Sequence, residues 1–356
     1  MTFGRNFLPG PTGVHPEVMA AMTESMFSYL GPRMRPILEE IQPALRAMFG
    51  TTRPVFGVTS SGTGVLEMAI RNGVRHRVLV AVGGYFGEYF ARIAERCGKD
   101  VIRVHVPLGR TLEPDQLEAF LDGPQIDAVA VVHSESSTGA LAPVADLAKV
   151  VAKRPDIMFL VDAISSAGGI PIEMDRHGFD FVATGSQKAL ALPPGLAFGA
   201  ASQRLEERAR SIDDAGYYFS VSRWVRMASG FQLAETPSLS IYMALLTQLR
   251  RIATAGGWPA RWARHQALAG QFHAWAAGQP GVEFLAAEGR RSPCVSAIRL
   301  RHRDPAAVAD ALDAQGFLVG RAIDPAHGPL LRIGHMGDAE PAHLAALLEA
   351  LGALIS

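Results

Sequence analysis

The chain of 356 residues carries 34 Lys and Arg against 34 Asp and Glu, so its formal charge is zero, and no basic field exists to recruit nucleic acid or an anionic membrane. Apolar residues make up 48%, enough in a chain of this length to bury a large core, and one large plus one small domain is the natural expectation. The two cysteines, Cys97 and Cys294, cannot build a disulfide framework, and no stretch reads as a signal peptide or membrane span, so a soluble cytoplasmic protein is expected.

In chain order, Asn6 to Gly13 is too rich in Pro and Gly for a helix. His15 to Ser28 reads as one, and Pro36 to Gly50 as another with a weak point at Pro43. From Val55 to about Ser202, short apolar runs alternate with amphipathic stretches. After Val55–Val58 the runs are Arg77–Val82, Val101–Val106, Ile126–Val132, Ile157–Val161, Phe179–Val182 and Leu196–Ala200, with helices such as Phe86–Cys97 and Pro114–Leu121 between them. That rhythm predicts an α/β fold with a mostly parallel sheet flanked by helices, whose ligands gather beyond the carboxyl ends of the strands. The pattern weakens between Glu206 and Glu235, where Gly216–Trp224 is aromatic enough for a pocket wall or a subunit contact. Thr236-Pro237 reads as the capped start of a helix. Helices Ile241–Ala255 and Trp258–Gly278 then lead into a smaller α+β region. Its strands are Val282–Phe284, Val295–Leu300, Phe317–Val319 and Leu330–Ile333, and its helices Pro305–Gln315 and Glu340–Leu351. The expected units are an N-terminal arm (1–15), a large domain (16–245) and a small C-terminal domain (246–356).

Four places carry chemistry. Lys188 follows the apolar run Phe181–Ala183 and the small polar residues Thr184, Gly185, Ser186 and Gln187, ahead of Pro193-Pro194-Gly195; a strand ending in a turn can present a long amine into a cleft. Asp162 ends the apolar run Met158–Val161, where a carboxylate is costly without a partner. A pyridinium nitrogen is such a partner, because the carboxylate keeps that ring protonated and strengthens pyridoxal phosphate as an electron sink. Ser61-Gly62-Thr63-Gly64-Val65 turns from a strand into a helix, and amides there, with the Thr63 hydroxyl, suit a phosphate. Arg332 stands between apolar neighbours in Pro329–Gly337 and needs an anion, its fork suiting a carboxylate. No metal-ligand cluster is read.

Ser61–Gly64, His133-Ser-Glu-Ser-Ser137-Thr-Gly139, Val161-Asp162, Gly185–Lys188 with Pro193–Gly195, and Leu331–His335 together resemble the class V aminotransferases of pyridoxal phosphate (PLP) fold type I, and within them the alanine–glyoxylate and serine–glyoxylate (serine–pyruvate) branch. The resemblance implies that Lys188 holds PLP as a Schiff base and moves the substrate proton, while Asp162 faces the ring nitrogen. It also places Thr63, Gly64, Val65 and Gln187 on the cofactor, Phe86 on the ring face, Ser137 near the ring O3′, and Arg332 on the substrate α-carboxylate. Thr236 would reach the partner subunit's phosphate in a homodimer. Leu8–Pro11 would line the substrate entrance. Where relatives carry a histidine after Gly31 this chain has Pro32, so no role is carried to it; His133, His335, Tyr217 and Tyr218 receive none either. The implied reaction moves an amino group from alanine or serine to glyoxylate or pyruvate in a ping-pong cycle. A PLP-dependent lyase, a pyridoxamine- or phosphonate-specific aminotransferase and a non-catalytic binding protein are the alternatives. A cysteine desulfurase needs a mobile cysteine shortly before the arginine, and Cys294 sits far ahead of Arg332 at an apparent strand.

Overall fold

Seven of the apolar runs form one sheet in the order Val55–Val58, Ala197–Ala201, Phe181–Gly185, Met158–Asp162, Ala128–Val132, Arg77–Val82 and Asp100–His105. Six run parallel; Ala197–Ala201 is antiparallel to both its neighbours. These bounds come from a computed structural model that describes residues 4–123, 125–212 and 215–356. Alternate residues of each strand point to opposite faces. Leu79, Val129, Val131, Phe159 and Val161 pack with Leu45, Leu147 and Leu245, from helices Met34–Phe49, Val144–Val151 and Leu239–Thr254. Val78, Val80, Ala128, Ala130 and Leu160 pack the other way, with Met68, Phe90 and Trp224 of helices Gly62–Gly73, Tyr85–Arg96 and Val221–Ser229. Both faces are covered, which is why central runs such as Ala128–Val132 and Met158–Val161 are apolar throughout instead of alternating, while the edge strand Asp100–His105 keeps polar residues. Each large aliphatic or aromatic side chain buried here contributes roughly 1.5–3 kcal/mol.

This topology sends Ser61, Gly83, His133, Asp162 and Lys188 out of one edge of the sheet. The return from Gly185 to Ala197 is closed at its neck: Ser186 N donates to Leu196 O at 2.9 Å, Ser186 Oγ to Pro193 O at 2.7 Å, and Gly195 takes a φ of 124° that favours glycine. Lys188 therefore rides on a short, pinned loop.

A second sheet has the order Asn6–Phe7, Leu318–Arg321, Leu331–Gly334, Val295–Leu300 and Val282–Phe284. The first pair is parallel and the rest antiparallel. Helices Gly257–Ala277, Pro305–Ala314 and Pro341–Ile355 cover it through Phe272, Leu312 and Leu347. The N-terminal segment is thus stitched to a sheet made almost entirely from the C-terminal third.

Three local expectations differ. The helix expected over His15–Ser28 spans only Pro16–Ala21, because the chain tightens into three-residue turns and Thr23 Oγ1 takes the Ala20 carbonyl at 2.8 Å. The helix after Thr236 starts at Leu239 with Ser238 as its N-cap, so Thr236 does not cap it. Helix Val221–Ser229 was hidden behind the aromatic run Tyr217–Phe219, although Val221, Trp224, Val225 and Ala228 bury one face at helical spacing.

Candidate active site

The sheet edge opens into a cavity of about 280 Å³ lined by Ser61, Gly62, Thr63, Phe86, Asp162, Gln187 and Lys188. Lys188 is buried, its Nζ donating to the Pro9 carbonyl and lying 6.0 Å from the centroid of the Phe86 ring. Gly10 crosses directly over it: a Cβ on Gly10 would stand 2.6 Å from Lys188 Cδ and 2.8 Å from Nζ, and its φ of 118° already favours glycine. Burial, helped by the Arg332 charge, pushes the Lys188 amine down to about 8, against the pull of Asp162 and Glu135.

Asp162 is buried at the end of its strand, and Ile164 N donates to its Oδ1 at 2.8 Å. Oδ2 receives no hydrogen bond among the described residues. Burial pushes the carboxyl up to about 7; the Ile164 amide opposes this, while the charge of Glu135 adds to it and that of Lys188 offsets it.

Glu135 is the residue that the sequence reading passed over. Its Oε2 accepts from Phe86 N and Gly87 N, both at 3.0 Å, and its Oε1 from Ser137 N at 3.1 Å and Ser137 Oγ at 2.6 Å. A buried carboxylate thereby caps helix Tyr85–Arg96, where free amides and the helix dipole favour an anion, and fixes the Phe86 ring over the cavity. Ser137 Oγ also accepts from Tyr85 N at 3.0 Å. Ser137 is accordingly held in this capping network, and Ser134 lines the cavity. Glu135 stands among Ser134, Ser136 and Ser137, so no apolar neighbours mark it in the sequence as they mark Asp162; only its place just beyond the apolar run Ile126–Val132 points to it.

At the start of helix Gly62–Gly73, Ser61 provides no side-chain cap, and the Gly62 and Thr63 amides lack an acceptor among the described residues. Thr63 Oγ1 lies 3.5 Å from Tyr89 Oη. Gly64 and Val65 do not line the cavity: Gly64 faces Ser60, and Val65 is buried in the core. Gln187 lines it, and its carbonyl accepts from Thr12 N at 3.1 Å.

Arg332 donates only to main-chain carbonyls, Nε to Arg321 O at 2.7 Å and Nη1 to Ser136 O at 3.2 Å, and forms no ion pair among the described residues. Burial pushes it down to about 10, partly offset by Glu135. A guanidinium kept partly desolvated without an acid is ready for an external carboxylate. Thr236 lies away from this cavity, exposed, with Oγ1 donating to Tyr29 Oη at 3.2 Å. Tyr217 is exposed, while Tyr218 Oη donates to Thr59 O at 3.2 Å, just ahead of Ser61. His335 is buried in the second core against Phe272, with Nε2 2.9 Å from Ser296 Oγ, and does not line the cavity. His133 is buried, and burial pushes it down to about 4.

The PLP that the resemblance implies finds matching partners in this set: a buried amine for the aldehyde, a buried carboxylate oxygen without a donor for the ring nitrogen, an aromatic ring for one face, and uncapped amides for a phosphate. The lowered amine has a measurable consequence. Only the neutral amine attacks an aldehyde, so the rate at which cofactor-free protein takes up PLP should rise with pH and level off above about pH 8. Rapid-mixing absorbance would show it; a rate still climbing toward the ordinary lysine value of 10.5 would contradict the burial.

The family model for class V aminotransferases matches residues 10–322. An uncharacterized aminotransferase of Methanocaldococcus jannaschii is 34% identical over 93% of this chain and 87% of its own length. The L-aspartate–glyoxylate aminotransferase of Paracoccus denitrificans is 31% identical over 93% and 86%. Among solved structures, an alanine–glyoxylate aminotransferase from Nostoc superposes with a TM-score of 0.91 at 28% identity, covering all of this chain and 96% of that one. With a fold, a cavity and a lysine-centred edge that agree with these matches, the chain belongs to the class V aminotransferase family and is a PLP-dependent transaminase.

Proposed function

We propose that this transaminase takes its amino group from alanine or serine and delivers it to glyoxylate or pyruvate in a ping-pong cycle. The observation that supports the reading is a buried amine, Lys188, in the cavity, together with a guanidinium, Arg332, that has no acid partner among the described residues and is held by the carbonyls of Arg321 and Ser136. Bound PLP supplies the electron sink that stabilises negative charge at the substrate Cα. Lys188 anchors the cofactor and, once released, carries the proton to and from that carbon. Asp162 would hold the ring nitrogen in its protonated form, Phe86 would shield the ring from water, and Arg332 would hold the substrate carboxylate and so orient the amino acid. Ser61, Gly62, Thr63 and Gln187, which line the cavity, would hold the remaining polar groups.

Steady-state rates with alanine, serine and aspartate as donors, each against glyoxylate and pyruvate, test the substrate assignment. Alanine or serine should lead aspartate by at least about tenfold in kcat/KM, the scale of one unmatched charged group; a preference for aspartate would overturn it. Pyruvate and ammonia formed from serine over many turnovers without an acceptor would indicate lyase chemistry instead, because transamination of serine leaves hydroxypyruvate and stops after one turnover. Arg332→Gln should raise the donor KM by about 100-fold, since two charge-assisted hydrogen bonds are lost, with PLP uptake unchanged. An unaltered KM would remove Arg332 from the substrate site.

The same reading makes the enzyme a cytoplasmic homodimer with shared sites. Thr236 is exposed, with Oγ1 donating to Tyr29 Oη at 3.2 Å, and is therefore open to a second copy, whose phosphate site it would reach. Met26, Leu30 and Tyr217 are exposed apolar side chains of the kind a subunit contact covers. Light scattering should give twice 38.1 kDa; a fully active monomer would contradict the shared site. Both cysteines are buried, and no helix among the described residues is long and apolar enough to cross a membrane. The arm 1–15, large domain 16–245 and small domain 246–356 serve as working units, supported by the two separate sheets, with the arm tied to the second through Asn6–Phe7.

A further inference from the structure

Every carbonyl from Gln187 to Leu190 is taken by a donor from elsewhere in the chain. Thr12 supplies N to Gln187 O at 3.1 Å and Oγ1 to Lys188 O at 2.9 Å. Arg261, buried on helix Gly257–Ala277, directs Nε at 3.0 Å and Nη2 at 2.5 Å onto Ala189 O. Gln248, fully buried on helix Leu239–Thr254, gives Nε2 to Leu190 O at 2.9 Å. Arg261 and Gln248 then converge on one carboxylate: Arg261 Nη1 to Asp338 Oδ1 at 2.8 Å, and Gln248 Nε2 to Asp338 Oδ2 at 3.0 Å. The next residue, Ala191, holds a φ of 55°, unusual for a residue with a Cβ. Such a conformation persists only where its surroundings over-determine it, and this loop is over-determined.

Asp338 lies in the loop that follows strand Leu331–Gly334, the strand that carries Arg332. The two ends of the cluster therefore join the loop bearing the amine to the segment bearing the guanidinium. We propose that Gln248, Arg261 and Asp338 are positioning residues, a buried clamp that holds the Lys188 loop in fixed register with the Arg332 strand so that both groups address one substrate. None of the three lines the cavity, so they act through the backbone of residues 189 and 190 and not on the reacting atoms. This inference rests on the reading of Lys188 and Arg332 given above.

The clamp makes a prediction that simple core stability does not. Asp338→Asn breaks a buried ion pair and is prone to unfolding, so the informative variants are Gln248→Met, which keeps the Arg261–Asp338 pair and the side-chain volume, and Arg261→Lys, which keeps the charge but loses the two-pronged contact with Ala189 O. Hydrogen–deuterium exchange is followed in cofactor-free protein over residues 186–192, where Ser186 N, Ala191 N and Leu192 N are hydrogen-bonded, with the central strand Ala128–Val132 as internal reference. We expect exchange at least tenfold faster over 186–192 and unchanged over 128–132. In PLP-loaded enzyme kcat should fall at least tenfold with little change in the donor KM. Unchanged exchange over 186–192 in folded variants would overturn the proposal. Acceleration spread equally over both segments would also overturn it, reducing the cluster to a stability element. Should the wild-type protein fail to take up PLP, the site reading fails, while the exchange measurement, which needs no cofactor, still decides the clamp.

Discussion

Replacing Lys188 with alanine is expected to reduce transamination by about 10⁴-fold or more while leaving the fold intact. The loss combines the covalent anchor with the proton carrier, and positioned general acid–base catalysis alone is worth about 10²–10⁴-fold. The fold should tolerate it because the side chain contributes little native binding. Its amine is buried, its hydrogen bond is to Pro9 O, and its lowered pKa shows that the charged form is disfavoured where it sits. Removing a desolvated amine takes away a cost as well as a contact, so the melting temperature should hold or rise, as is common when a functional group is deleted from its site. Partial rescue by added small amines, which can reach a cavity of this size, would separate chemistry from folding. Retained turnover without added amine would remove Lys188 from the mechanism.

Asp162→Asn should be the second most damaging substitution. The carboxyl is pushed up to about 7 by burial, and a cationic ring nitrogen opposite it would return it to the charged state. Asparagine keeps the shape and the contact with Ile164 N but cannot balance that charge. Removing one partner of a buried ion pair costs about 3–5 kcal/mol, which corresponds to roughly 10²–10⁴ in rate. PLP should still attach to Lys188, because the amine and the helix start are untouched. The signature is therefore a coloured, slow enzyme. A colourless one would place Asp162 in cofactor retention more than in catalysis.

Much of this site is legible in the sequence because strand ends announce themselves. Met158–Asp162 and Phe181–Gly185 are β-branched or apolar runs that stop at polar or small residues, and a parallel sheet places all such stops on one edge. Arg332 stands out for a similar reason, as a charge set between Leu331 and Ile333. What escaped reading depends on partners far along the chain. Nothing local in Pro9–Thr12 encodes its seat over Lys188, which is set by contacts 175 or more positions away in sequence. Arg261, Gln248 and Asp338 look like ordinary polar residues on long helices and in a loop until folding brings them to a common carboxylate. Glu135 was visible as a letter in a motif, yet its role as a helix cap depends on Phe86 N and Gly87 N, almost fifty residues earlier. The expected cap at Thr236 failed by a small shift in the helix start, the kind of boundary that local propensity fixes poorly.

The assignment of Lys188 as the residue that carries PLP and surrenders it to a small amino donor underlies every role given above. It is tested most directly by the anaerobic absorption spectrum of the PLP-loaded protein, followed as alanine is added without an acceptor and then glyoxylate. The lysine-linked band should convert to that of pyridoxamine phosphate with alanine or serine and return with glyoxylate or pyruvate. A protein that forms no lysine-linked band, or whose band persists under both alanine and serine, would contradict it.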